Sequence, residues 1–237
     1  MERKPFRFKQ FSVSDHRSAM KVNTDGVLLG AWASLPDSGT VLDIGTGSGI
    51  IALIMAQKGA EKVIAIDIHE ASAIEAAQNF KDSRWNDKLQ SRWISFHGFI
   101  QSNTQTFSAI VCNPPFFAKS LLSGDPEKNL VKHEQQLGFT SLMEGVSNRL
   151  SADGSFACII PSNRSEELEQ IASSLFLFCH RKTGVIPKAG KPVFRVMFEF
   201  RGFEPLTRQE NCLIIRDLNN NYTPEYKKLT KEFYLEF

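Results

Sequence analysis

The sequence lacks most of what announces a metal centre, a disulfide scaffold or a membrane anchor. Its four cysteines, Cys112, Cys158, Cys179 and Cys212, are far apart, and its five histidines form neither an HxH nor an HExxH pattern. Zinc-like and disulfide-framework spacings are therefore absent, and reduced thiols with no metal are expected. The longest apolar run, IIALIMA at 50–56, falls well short of the ~20 residues that a membrane-spanning helix needs. The leading MERKPFRFKQF has charges where a secretory leader would be apolar, so a cytoplasmic location is expected. Low-complexity tracts, long linkers and repeats are also missing. A chain of 237 residues can then be held by one ordinary hydrophobic core.

What is present is first a charge pattern. Residues 1–21 hold six Lys/Arg against two acids, a net of +4, and residues 181–201 hold six against one, a net of +5. Two basic segments on a mildly acidic body make a polyanion-binding surface if the fold joins them, and two unrelated solvated faces if it does not.

The hydrophobic pattern is that of an α/β protein. TVLDIGT (40–46), KVIAIDI (62–68), RWISFH (92–97), FSAIVCN (107–113) and SFACIIP (155–161) read as strands. Helical segments alternate with them: SGIIALIMAQKG closed by Gly59, HEASAIEAAQNF, TSLMEGVSNRLS and SEELEQIASSLF. This alternation predicts a parallel sheet with helices on both faces. VFRVMFEF (193–200) has period two, the pattern of a half-exposed strand, and is placed as an antiparallel strand near the sheet edge; CLIIRD (212–217) is a further short strand.

The first strand runs into LDIGTGSG, with Gly45, Gly47 and Gly49 on alternate positions. A dinucleotide fingerprint requires G-x-G-x-x-G, and Ile50 stands where its third glycine belongs. A nicotinamide cofactor is disfavoured accordingly. Asp43 lies two residues before the first glycine, where a carboxylate holds an ammonium group or orders a water, and Asp67 ends the next strand, where a carboxylate accepts ribose hydroxyls. An adenosine with an amino-acid tail, S-adenosylmethionine, satisfies both. The plainer alternative is a tight turn with Asp67 capping the following helix.

CNPPFF (112–117) follows the fourth strand. Proline confines the residue before it to extended conformations, so Pro114 fixes Asn113 and Pro115 fixes Pro114. The stiff loop can aim the Asn113 side-chain oxygen and the Pro114 carbonyl at one point, matching the two hydrogens of an exocyclic NH₂. Phe116 can stack on the base that carries it. A rigid turn with Phe116 and Phe117 in the core is the alternative. Cys112 reads as a buried strand residue with an unshifted thiol rather than a nucleophile.

With these residues in place the sequence resembles the class I S-adenosylmethionine-dependent methyltransferases, and among them the tRNA1(Val) adenine-N6 methyltransferases. The likeness extends beyond DIGTGSG and NPPFF to FKQF (8–11), MKVNTDGVLLGAWA (20–33), LIMAQ (53–57) and YTPEYKKLTKEFYL (222–235). It implies a Rossmann-like fold, a mostly parallel seven-stranded sheet with one antiparallel strand, in a single domain over 1–237. Residues 1–34 would be an N-terminal extension on the cofactor and RNA side, and 205–237 a C-terminal extension. It implies that Lys21 to Asp25, Thr24 included, line the cofactor pocket, that Asp43, Gly45, Thr46 and Gly47 hold the methionine end, and that Asp67 and Ile68 hold the ribose and its surroundings. Asn113 would face both cofactor and target base, with Pro114 and Phe116 completing the catalytic loop.

Phe99 departs from the pattern, standing where such enzymes usually carry an acid beside the cofactor's adenine. The implied partner is the anticodon stem-loop of a tRNA, and a monomer is expected. The arginines and lysines interleaved with Phe6, Phe8 and Phe11 suit an unstacked RNA loop, or else a tethered strand with its rings turned inward. NPPF also serves guanine-N2 rRNA and protein glutamine methyltransferases, and a non-catalytic RNA-binding module on this fold is the reading from a different class.

Overall fold

A computed structural model describes residues 4–18, 20–114 and 138–236. Among them, eight strands form one sheet: β3 (Thr40–Ile44), β4 (Lys62–Asp67), β5 (Leu89–Trp93), β6 (Phe107–Cys112), β7 (Leu150–Pro161), β8 (Phe178–Lys188), β9 (Arg195–Arg201) and β10 (Gln209–Arg216). Their spatial order is β10-β8-β9-β7-β6-β3-β4-β5. Of these eight, only β9 runs antiparallel, between β7 and β8. A separate hairpin pairs β1 (Phe6–Arg7) with β2 (Ser12–Val13).

Helices α1 (Thr24–Trp32), α2 (Ile50–Lys58) and α3 (Glu70–Lys81) share one core cluster with the sheet face that presents Val41, Val63, Ala65, Ala109 and Ile159. Helices α4 (Phe96–Ser102), α5 (Phe139–Arg149) and α6 (Ser165–Ser174) pack on the opposite face, which presents Leu42, Ile64, Ile110 and Phe156. The alternation of strand side chains between two covered faces explains why β3, β4 and β6 read as continuous apolar runs. The chain leaves β3 toward β4 and β5 on one side and reaches β6 and β7 on the other. The order therefore reverses between β3 and β6, and a crevice opens at their carboxyl ends.

Three expectations need correcting. The third strand is earlier than 92–97, ending at Trp93, because Ser95 caps a helix: its hydroxyl accepts the Gly98 N–H at 3.1 Å, and Phe96 and Phe99, three apart, turn into the core. Strand β9 is interior and buried on both faces, so its polar members are compensated rather than exposed. Buried Glu199 accepts from the Arg181 guanidinium at 2.8 Å, from Arg201 at 3.2 Å and from the Ser34 hydroxyl at 2.6 Å. The sheet has eight strands rather than seven, since FCHRKTGVIPK forms β8 despite its charges. Arg181 is neutralised by Glu199, and Lys182 by Glu169 of α6 at 2.5 Å.

The two chain ends meet. Lys9 N–H donates to the Phe233 carbonyl at 2.8 Å, Phe8 stacks on Phe11 with ring centroids 4.7 Å apart, and Tyr234 packs against Phe8. Helix α7 (Pro224–Thr230), capped by Thr223, buries Tyr226 beside them. Phe8 and Phe11 are thus the inward-turned rings of a tethered strand, and only Phe6 of the three is exposed.

Candidate active site

The glycine loop turns sharply because Gly45, Gly47 and Gly49 all adopt left-handed backbone, at φ 71°, 57° and 86°. Gly49 has a second constraint: a Cβ there would lie 2.5 Å from the Phe80 ring. The amides of Gly45 and Thr46 both donate to the Ile66 carbonyl, at 2.9 and 3.0 Å, which fastens the loop to the end of β4. Below it Asp43 has no exposed surface. Its Oδ2 accepts the Thr46 hydroxyl at 2.6 Å, and its Oδ1 has no partner among the described residues. Burial pushes this carboxyl up to about 7, against the opposing pull of the Thr46 hydroxyl and the Ala52 backbone amide and with the Asp67 charge adding to the rise. Asp43 thus lies beneath the loop with its burial only partly offset, and a cation placed above it would favour the ionised form.

Asp67 is also buried, with both oxygens engaged: Oδ2 accepts the Gly47 amide at 2.8 Å and Oδ1 the His69 amide at 2.8 Å. These two bonds aim the carboxylate across the crevice, and each oxygen keeps a lone pair for a further donor. The next residue, Ile68, is 39% exposed, and its carbonyl accepts the indole N–H of Trp93 at 3.0 Å. Phe99, expected at the position beside the cofactor's adenine, turns its ring into the core. Its ring is 1% exposed and sits against Phe107 in the second core cluster, and its N–H is spent on the Ser95 carbonyl at 2.9 Å. An aromatic one turn into an amphipathic helix packs inward, so its side chain does not replace the acid.

The segment preceding α1 lies over the glycine loop, held by two residues of α3 that the sequence reading did not single out. Buried Glu75 of α3 accepts the Arg17 amide at 2.9 Å and the Ser18 amide at 2.7 Å. Asn79, one turn on, accepts the Ser14 amide at 2.9 Å and donates to the carbonyls of Ser14 and Ser48, each at 2.8 Å. These bonds hold residues 14–18 against α3 and the glycine loop. Ser18 Oγ lies 3.3 Å from where a Gly47 Cβ would be, so this position needs glycine for approach as well as for its backbone angle. The one available signal was a pair of polar residues, Glu75 and Asn79, on the apolar face of a helix.

Lys21 and Asp25 reach the same region but are already employed. The Lys21 ammonium donates to the carbonyls of Asp15 and His16, while the Asp15 carboxylate accepts the Val22 amide at 3.0 Å. Asn23 caps α1 by accepting the Gly26 amide at 2.9 Å, which makes Thr24 its first residue. Asp25 pairs with Arg195 at 2.8 Å. Lys21 thus ties together the segment before α1, and Asp25 ties α1 to the start of β9. Arg181, Lys182 and Arg201 of the second basic segment lie at the other end of β8 and β9.

Asn113 follows β6 at the point where strand order reverses. It is buried; its Nδ2 contacts Met20 Sδ at 3.9 Å, and its Oδ1 has no partner among the described residues. Met20 in turn accepts the Ser18 hydroxyl on its carbonyl at 2.8 Å, so the N-terminal cover connects the glycine loop to Asn113. Pro114 is buried beside it. Phe116, with Pro115 and Phe117, lies outside the described residues. Cys112 is not a nucleophile. Burial pushes its thiol well above the ordinary value, with Cys158 and Asp43 adding to the effect, so the thiol is shifted rather than unshifted.

The structure thus brings Asp43, Gly45, Thr46, Gly47, Asp67 and Asn113 to one crevice and leaves Phe99 out. Among the described residues, two buried acceptors there, Asp43 Oδ1 and Asn113 Oδ1, are without donors. A ligand with an ammonium group and ribose hydroxyls, together with a second molecule offering an amine, suits this donor deficit.

The sequence matches the family described as "Methyltransferase small domain" over residues 25–177. It is 40% identical over 232 residues to a tRNA1(Val) (adenine(37)-N6)-methyltransferase of Bacteroides fragilis, covering 98% of each chain. A protein of the same name from Christiangramia forsetii is 38% identical over the whole of both chains, and one from Haemophilus influenzae is 36% identical over 98% of this chain and 99% of its own. Among solved structures, a predicted O-methyltransferase from Agrobacterium tumefaciens superposes with a TM-score of 0.69 at 16% identity, covering 88% of this chain and 96% of that one. A ribosomal protein L11 methylase from Lactobacillus delbrueckii gives 0.52 at 21% identity, covering 78% and 77%. These two likenesses speak for the fold.

Proposed function

Because the chain belongs to the methyltransferase small domain family and, over nearly its full length, to the tRNA1(Val) (adenine(37)-N6)-methyltransferases, we propose that it methylates the exocyclic N6 amine of the adenine next to the anticodon of that tRNA. The observation that carries this reading is the buried Asn113 Oδ1, unpartnered among the described residues, at the carboxyl edge between β3 and β6.

S-adenosylmethionine, when bound, supplies a methyl group activated by its sulfonium. Asp67 accepts the ribose hydroxyls on the lone pairs that Gly47 and His69 leave open, and Ile68 provides apolar surface beside it. Asp43 balances the ammonium through the glycine loop. Asn113 Oδ1 and the Pro114 carbonyl each accept one hydrogen of the target NH₂. The nitrogen lone pair of adenine is delocalised into the ring, and holding both hydrogens favours a pyramidal nitrogen whose lone pair faces the methyl group. So held, the amine would be placed to take the methyl group the cofactor supplies, and the proton it then sheds would pass to water. Alignment and fixed dipoles lower the barrier without a strong base.

The test is methyl transfer from labelled S-adenosylmethionine to unmodified valine tRNA, read by nucleoside mass spectrometry, with Asn113→Ala in parallel. N6-methyladenosine that vanishes in the variant is expected. Cofactor binding without methylation of any tRNA would overturn the reading and redirect it to a guanine or glutamine amine.

A further inference from the structure

The edge of the sheet beyond Asn113 carries a row of cations contributed by strands remote in sequence. Moving away from the cofactor crevice, β6 is followed by β7, β9, β8 and β10. At their shared edge lie Arg164 in the turn after β7, Arg195 opening β9, Lys188 closing β8, Lys191 in the β8–β9 turn and Arg216 closing β10. Lys188 and Arg216 are register partners on parallel neighbours, so their side chains leave the same face. The turn between Lys188 and Lys191 is short and ordered by hydrogen bonding: the Lys191 amide donates to the Lys188 carbonyl at 3.0 Å, Gly190 takes φ 79°, and the Ala189 amide donates to the Arg216 carbonyl at 2.8 Å.

The acids nearby are largely committed. Asp25 holds Arg195 at 2.8 Å, Glu167 holds Arg164 at 2.6 Å, and Asp217 accepts the Asn221 amide at 2.9 Å. The Arg216 guanidinium lies over Tyr222, 3.9 Å from its ring centre, and donates to the Asn220 carbonyl at 2.6 Å. Lys188 and Lys191 form no ion pair among the described residues. Strand spacing of ~4.8 Å places the β8 end ~14 Å, and the β10 end ~19 Å, from the end of β6. That distance is too long for a contact to the target nucleotide and suits phosphates elsewhere on the same RNA arm.

We propose that Lys188, Lys191 and Arg216 form a phosphate-gripping rail for the tRNA arm that delivers the target base to Asn113. The rail rests on the tRNA reading above and adds to it where the RNA backbone lies. Sequence-independent phosphate contacts of this kind position a substrate and set its salt dependence.

The test compares wild type, Lys188→Ala/Lys191→Ala and a control, Lys62→Ala/Lys81→Ala, whose exposed lysines sit at the opposite end of the strands and helices. Each is measured for unmodified valine tRNA binding between low and moderate salt, for KM toward that tRNA and for cofactor affinity. The rail variant is expected to lose ~10-fold in tRNA affinity, to flatten the log K against log salt slope by about 1.5 for two lost phosphate contacts, and to raise the KM for tRNA. Cofactor affinity should match wild type, and the control should match wild type throughout. A rail variant with an unchanged slope and KM, alongside a wild type that methylates the tRNA, overturns the rail alone. A wild type that methylates no tRNA overturns both the rail and the reading beneath it.

Discussion

Replacing Asp43 by asparagine tests whether the carboxylate under the glycine loop is a strained group awaiting a ligand. The carboxyl is raised from 3.8 to about 7 by burial, so the folded protein binds a proton that the unfolded chain releases. The sign follows from that. A folded-state value above the unfolded one contributes stability fully present below the unfolded value and lost as pH rises through the folded one. At ~1.36 kcal/mol per pH unit, the loss between pH 4 and pH 8 is ~4 kcal/mol.

The amide of the Asp43→Asn variant does not titrate, and it adds a constant cost of ~1–3 kcal/mol for a buried donor without a partner. The stability difference, variant minus wild type, should therefore move by ~4 kcal/mol in the variant's favour from pH 4 to pH 8, then level off. Urea unfolding of both proteins across this range measures it. Adding S-adenosylmethionine at pH 8 should stabilise wild type and have little effect on the variant, since a cation near the loop favours the ionised acid. Curves for wild type and variant that run parallel with pH would refute the argument, whatever their offset.

Asn113→Ala should lower kcat by ~10²–10³ while leaving cofactor affinity near wild type, because it removes an acceptor aimed at the target amine; single-turnover kinetics with isothermal titration separates the two. Asp67→Ala should act the other way, weakening cofactor binding by ~10–100-fold through the loss of charged hydrogen bonds to ribose and to the Gly47 amide, with equal damage to both steps counting against this division. Glu75→Gln, which cannot accept both the Arg17 and Ser18 amides, should raise the KM for cofactor by about 10-fold, and hydrogen exchange should find those two amides deprotected; a fall in melting temperature with unchanged KM would make Glu75 a merely structural residue.

The Asp43-to-Asp67 part of this crevice was legible in the sequence because it is local. Asp43, the three glycines and Asp67 lie within 25 residues, and each is tied to a backbone conformation that leaves its own mark: strand, left-handed turn, strand. The direction of the Phe99 ring was not legible, for a physical reason. Alignment to a motif position says nothing of side-chain direction, and the Ser95 cap turns that position into a helix whose aromatics face inward. Strand β8 was invisible for a different one. Its arginine and lysine are acceptable only because Glu199 and Glu169, from β9 and α6, are waiting for them, and no local pattern announces a partner 18 or 13 residues away.

The substrate half is the more instructive case, because no short stretch contains it. Asn113 comes from β6, its Met20 contact from the segment before α1, Arg195 from β9 and Arg216 from β10. Only the sheet order sets them along one edge, and the Asp25–Arg195 pair ties the second basic segment to the helix that follows the first. A charge count had left two segments with equal claims to be a binding surface or mere solvated faces. The fold divides the second segment: Lys188, Lys191 and Arg195 reach the carboxyl edge, whereas Arg181, Lys182 and Arg201 lie at the other end of the same strands. The strand spacing then sets how far from the target amine an RNA backbone on that edge would lie. Because that distance comes from backbone geometry and not from any one side chain, shifting the cations to other positions on the same edge should preserve tRNA binding, whereas moving them to the β5 side should not.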